Sequence, residues 1–194
     1  SVSETTLEPT TLLGSNALQT LAIHTASNLG ALAQGATPSY YAPGCADGSV
    51  HGIALSLKVA DSPDAIHFFR LSMRPAMPLQ STTFSLCEAA AGALRSGKIR
   101  LPSGNINLGL SFLFDPAMHG TVTEPDLSGI DPKRRALMVL ESAKSSWVYD
   151  PNKSIDDLLA AAMENIDILS PESASIFRFA VDTTGSSVAL SNAP

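Results

Sequence analysis

The stretch "NINLGLSFLF", residues 105–114, constrains the fold more than any other in the chain. Ile106, Leu108, Leu110, Phe112 and Phe114 fall at every second position, with Asn105, Asn107, Gly109 and Ser111 between them. Strand side chains alternate between the two faces of a sheet, so this spacing predicts a half-buried strand. Gly109 in mid-strand points to a bulge or to close approach of another backbone. Asp115-Pro116 predicts the strand's end, and "AMHGTVTEPDLSGIDP" reads as a long connection of turn residues.

The same period recurs elsewhere. In "GIALSLKVA" the residues Ile53, Leu55, Leu57 and Val59 alternate with small or polar ones. The turn Asp61-Ser62-Pro63-Asp64 leads into a return strand, "AIHFFRLSM", which makes a hairpin. A second hairpin is "RALMVLE" and "SSWVYD" around the polar turn "SAKS", framed by Asp131-Pro132 and Asp150-Pro151. Each Asp-Pro pair combines a residue biased away from the helical region with a fixed φ and a missing donor. Such a frame stops ladder pairing at defined points and delivers the hairpin at a set angle into the next helix. The last predicted strand is "ASIFRFAVD".

Three segments carry helical spacing. Leu18, Leu21, Ala22, Leu29 and Leu32 share a face, with Ser15 as the predicted N-cap and Gly35 as the stop. Phe84, Cys87, Ala91 and Leu94 line a second helix, roughly 82–96, which Gly97 ends. In the third, "IDDLLAAAMENI", Ser154 caps and Asp157 follows three residues on, the pattern of a capping box. The order is α-β-β-α-β-β-β-α-β. Strands come in adjacent hairpins rather than βαβ units, so the class is α+β with a mainly antiparallel sheet. The 194 residues suit a single domain and leave room for a smaller second lobe. Residues 1–11 are expected to be a loose arm, 12–183 the domain and 184–194 a flexible tail of small and polar residues.

A net charge of −6 argues against nucleic acid and against anionic lipid as partners. No apolar run reaches the length of a spanning helix, and the first residues lack the basic and apolar regions of a signal peptide. A cytoplasmic protein is therefore expected. The two cysteines, Cys45 and Cys87, make no disulfide framework. Cys87 sits on a helix stripe and reads as a small core residue.

No phosphate-binding glycine loop, zinc helix, nucleophile elbow or CxxC pair occurs. The strongest local candidate for chemistry is "GCADGSVHG", where a glycine-rich loop could bring Cys45 to His51 with Asp47 between them. A histidine can lower a thiol's pKa for nucleophilic attack, and the same groups are soft and borderline metal ligands. The alternative is a surface loop with an incidental thiol. His119, with Glu124 and Asp126 nearby, is a second loop cluster of metal-ligating types, at a density that chance also gives. His67 shares a strand face with Phe69 and Leu71 and reads as a satisfied sheet histidine. Arg70 and Arg74 flank the end of a strand beside a proline-rich turn, where a guanidinium fork can meet a carboxylate or phosphate. A structural ion pair is the competing role. Trp147, the chain's one tryptophan, shares a face with Tyr149 and reads as core, and Lys133-Arg134-Arg135 as a solvent-side strand start.

The succession "GIALSL", "FFRLSM" with Pro78-Leu79, "EAAAGAL", "LGLSFLFDP", "RRALMVLESAKSSWVYDP", "LLAAA" and "IFRFAVD" resembles the AMMECR-type domain, the protein A component of AmmeMemoRadiSam systems. The resemblance spans roughly residues 12–183. The family's hallmark is a strand ending in Leu-Arg-Gly-Cys-Ile-Gly. Here that stretch is Phe69-Arg70-Leu71-Ser72-Met73-Arg74, so only the arginine is kept and Ser72 stands at the cysteine position. The resemblance implies one α+β unit with a smaller lobe. It also implies a modification pathway shared with radical-SAM and Memo-like proteins. The expectation is an accessory or binding module with Arg70 and Arg74 at the recognition surface and Tyr40 and Tyr41 beside them. The alternative is an enzyme using Cys45 and His51 for nucleophilic or metal-assisted chemistry. No cofactor is predicted, and no metal ligand set is assigned.

Overall fold

The computed structural model describes residues 13–39, 48–59, 65–100, 106–185 and 187–192. Three helices, α1 (Ser15–Ala33), α2 (Leu79–Arg95) and α3 (Ile155–Glu164), accompany nine strands. These are β1 (Ser49–Val50), β2 (Gly52–Val59), β3 (Ala65–Leu71), β4 (Met77–Pro78), β5 (Ile106–Thr121), β6 (Arg135–Glu141), β7 (Lys144–Tyr149), β8 (Ser175–Thr183) and β9 (Val188–Asn192). Seven strands form one antiparallel sheet in the order β3-β2-β5-β8-β6-β7-β9, and β1 pairs with β4 apart from it. The chain is an α+β single domain, as its hairpins predict.

Alternation sorts the apolar residues onto two sides of the large sheet. On β2 and β5, Ile53, Leu55, Leu110 and Phe112 are fully buried beneath α1 and α2. Leu137, Val139 and Ile176 meet α3 through Leu158 and Ala162. The opposite face gathers Ala54 and Leu113 with Met138, Trp147, Phe179 and Leu190 in one cluster. These residues come from strands near both ends of the sheet order, so the sheet curls around them and nearly closes. Two helical layers thus coat the outside of one curled sheet.

The hairpin β6–β7 shows what its Asp-Pro frame does. Asp131 Oδ1 accepts from Lys133 N at 3.0 Å, and Asp150 Oδ1 accepts from Asn152 N at 3.0 Å. Both aspartates close local turns with their side chains, one at each end. The loop is two residues long, with Ser142 at φ 53, since positive φ at the first loop position suits tight hairpins. Tyr149 donates to Lys133 O and ties the ends together. Trp147 is 1% exposed in the inner cluster. Ser154 then accepts from Asp157 N at 3.2 Å and starts α3, as the capping pattern predicts.

Four expectations need correction. Residues 188–192 belong to β9, paired with β7, and are no flexible tail. Val188 and Leu190 alternate into the inner cluster, a signal too short to stand out among small polar residues. β5 does not end at Asp115-Pro116 but runs to Thr121, with shifts in register between Phe114 and Ala117 and between Met118 and Thr121. A bulge absorbs a proline that lacks an N–H, so the proline bends the strand without ending it. The residue capping α1 is Gly14 rather than Ser15, and α2 begins at Leu79, earlier than its spacing indicates. The arm before residue 12, the turn at 61–64, and Tyr40, Tyr41, Cys45 and Asp47 lie outside the described residues.

Candidate functional site

β3 is one edge of the sheet and β9 the other, and the curl brings both to a single groove. Three adjoining clefts run along and beyond β3: the first between the two edges, the second between β3 and the β6–β7 turn, the third past the end of β3. The first, about 470 Å³, lies at the start of β3 and is walled by Ser56, Lys58 and Ser111 on one side and Thr183, Ser187 and Ala189 on the other. The second, about 640 Å³, shares His67 with the first and has Phe69, Leu71 and Leu140 as its apolar floor. Arg70 stands at its β3 wall, and Ser142, Ala143 and Ser145 of the β6–β7 turn face it. The third, about 650 Å³, shares Met73 and Leu140 with the second and holds Arg74, Met118 and Phe177.

The polar groups of the first cleft are arranged by the strands beneath them. Ser111 Oγ and Thr183 Oγ1 are 2.8 Å apart, and Thr184 Oγ1 accepts from Leu110 N at 3.0 Å. Gly109 makes room for this: a Cβ there would stand 3.2 Å from Thr184 Oγ1. The close approach predicted at Gly109 is thus that of a side-chain hydroxyl, not of another backbone. Ser56 Oγ lies 2.7 Å from His67 Nδ1, so His67 is the satisfied sheet histidine its face suggests. Desolvation lowers its pKa and favours the neutral ring.

The charges along the groove have one sign. Lys58, Arg70 and Arg74 are exposed, and every charged residue among the described ones lining the three clefts is basic. None of the three has an ion-pair partner among the described residues. Among the described residues a structural ion pair for Arg70 or Arg74 finds no support. Sequence reading singled out these two arginines because they flank a strand end. It missed Lys58, which the alternation of β2 puts on the inner face with Ala54 and Ser56.

Among the described candidates, His51, His119 and Cys87 have structural contacts. His51 exchanges backbone bonds of 2.8 Å with Leu113 and Ser72, and its Nδ1 donates to Ser72 O at 3.0 Å. Its ring centroid lies 6.5 Å from that of Phe179. Ser72 Oγ donates to Pro75 O at 2.6 Å. The structure thus places His51 as a clamp on the end of β3, with one ring nitrogen committed. His119 Nδ1 donates to Asp126 O at 2.8 Å and closes the bend after β5, where Gly120 bridges Pro125. No group of three or more metal-ligating side chains occurs among the described residues. Cys87 is a free, buried thiol 3.5 Å from Thr25 O, and burial with the nearby Glu88 raises its pKa to about 11. It is core, as its helix position predicts.

No protein-family model and no curated protein matches this sequence. Among solved structures the chain is similar to the crystal structure of an uncharacterised protein from Pyrococcus horikoshii. The TM-score is 0.51 at 14% identity, covering 88% of this chain and 92% of the other. At that identity the likeness speaks for the fold alone. No described helix is long and apolar enough to cross a membrane.

Proposed function

We propose that this chain is an accessory binding module that recognises a partner protein or a small anionic ligand along β3. One observation carries the reading: the clefts along and beyond β3 bear three cations with no ion-pair partner among the described residues and no described anion, in a chain of net charge −6. Uncommitted guanidinium groups are suited to carboxylate and phosphate, which they bind with two parallel hydrogen bonds.

The resemblance to AMMECR-type domains supplies the setting of the proposal. It is a cytoplasmic modification pathway with radical-SAM and Memo-like proteins as partners, in which this module binds rather than turns over substrate. The test is affinity capture from an extract of the source cells, comparing the parent chain with Arg70→Ala/Arg74→Ala at matched thermal stability. The expected result is a bound species that the double variant loses and that added salt elutes. Equal capture by both chains would contradict the proposal.

A further inference from the structure

The groove has a property that charge alone does not explain: at the first cleft both walls are sheet edges with no further strand paired to them among the described residues, and at the second the β6–β7 turn faces the β3 edge. Among the described residues β3 pairs only with β2, and β9 only with β7. Ala65 and His67 face Ser187 and Ala189 in the first cleft. Arg70 and Leu71 share the second with Ser145, whose partner in the sheet is Asn192. The two edges therefore run in the same direction along the seam. One extended segment between them can be antiparallel to both, and would complete an eight-stranded barrel.

From this geometry, and resting on the binding role proposed above, we infer that the groove takes an extended acidic peptide segment of a partner protein, added as a strand to β3. Exposed edges carry a row of free N–H and C=O groups, and main-chain pairing to such an edge is an established mode of peptide capture. The side chains of an added strand alternate. Those turned inward meet Phe69, Leu71, Met73 and Leu140, which are only partly buried against the inner cluster. Those turned outward meet Arg70, which pairs in register with Ile53 on the opposite side of the sheet from Phe69. Lys58 and Arg74 stand at the two ends. Apolar residues alternating with carboxylates fit this pattern, and basic residues oppose it.

The experiment titrates the full chain with a capped peptide alternating glutamate and valine over the length of β3. Binding is read by fluorescence anisotropy and the site by amide hydrogen exchange. The expected affinity is about tenfold or more above that of the lysine–valine peptide. Exchange at Ala65–Leu71 should slow by about tenfold or more in the complex. N-methylation of every second residue, in either register, removes the donors for one edge and should cost about tenfold. Ala143→Trp, an exposed turn position, should block the second cleft and weaken binding with the fold intact.

If the acidic peptide binds and depends on Arg70 and Arg74, but N-methylation is tolerated and β3 exchanges as before, strand addition is overturned while charge-based recognition stands. Absence of binding at about 1 mM overturns strand addition as well. If capture from the extract also survives Arg70→Ala/Arg74→Ala, the binding role falls with it. A chain that dimerises with β3 protected before any peptide is added would assign the groove to a second copy, against this proposal.

Discussion

The β6–β7 hairpin and the β3 edge begin from similar material and end differently. Each is a short strand region with closely spaced basic residues, Lys133-Arg134-Arg135 in one and Arg70 and Arg74 in the other. In the hairpin many of the polar groups are spent within the fold, although Lys133 and Arg134 are exposed and have no ion-pair partner among the described residues. Asp131 and Asp150 close turns, Tyr149 reaches Lys133 O, and Arg135 lies 3.9 Å from Asp115. At its tip Glu141 accepts from Leu169 N, Ser170 N and Lys144 Nζ, and Lys144 Nζ also donates to Asp167 O. Along β3 the arginines hold nothing among the described residues, although the strand is as regular. The difference separates Arg135, Lys144 and Glu141, which hold the fold, from Arg70 and Arg74, which hold nothing among the described residues.

The contrast can be broken first at Trp147. Trp147→Ala empties the inner cluster and should cost about 3–5 kcal/mol of stability, measured by denaturant unfolding followed by circular dichroism. A loss under about 1 kcal/mol would mean that the hairpin is not the anchor described here.

Glu141 sharpens the contrast through pH. The Leu169 N–H, then Lys144 and the Ser170 N–H, hold its carboxyl down to about 2 from the ordinary 4.5. A depressed folded-state pKa contributes stability that is complete above the ordinary value and is lost as pH falls through the folded one. Unfolding midpoints of the parent should therefore decline between about pH 4.5 and 2 more steeply than those of Glu141→Gln. Parallel profiles would remove Glu141 from the account.

Ser154→Ala removes the cap of α3 and should cost about 1 kcal/mol in the same unfolding assay. The smallest expected change in stability belongs to Arg70→Ala/Arg74→Ala, within about 0.5 kcal/mol, with partner capture lost. A large destabilisation by that pair would move β3 into the same class as the hairpin.

Much of the fold was legible because its signals are local. The alternation of residues 105–114, the two Asp-Pro pairs and the Ser154 cap each declare a short element, and each element formed. β9 was not legible: five residues, two of them buried, gain their meaning only from pairing with β7 forty residues earlier. The same limit applies to the groove. Arg70 and Arg74 could be picked out as cations on a strand and just past its end, but the opposite wall comes from Ser142–Ser145 and Ser187–Ala189. Those small residues have no pattern of their own and become a surface only when the sheet curls.

The most direct measurement is amide chemical-shift mapping of the full chain against the species captured from the extract. The account predicts that the largest changes fall on Ala65–Arg74, Ser142–Ser145 and Ser187–Ala189, the two walls of one seam. Changes centred on Lys133–Arg135 or on the outer faces of α1 and α2, with β3 silent, would contradict it.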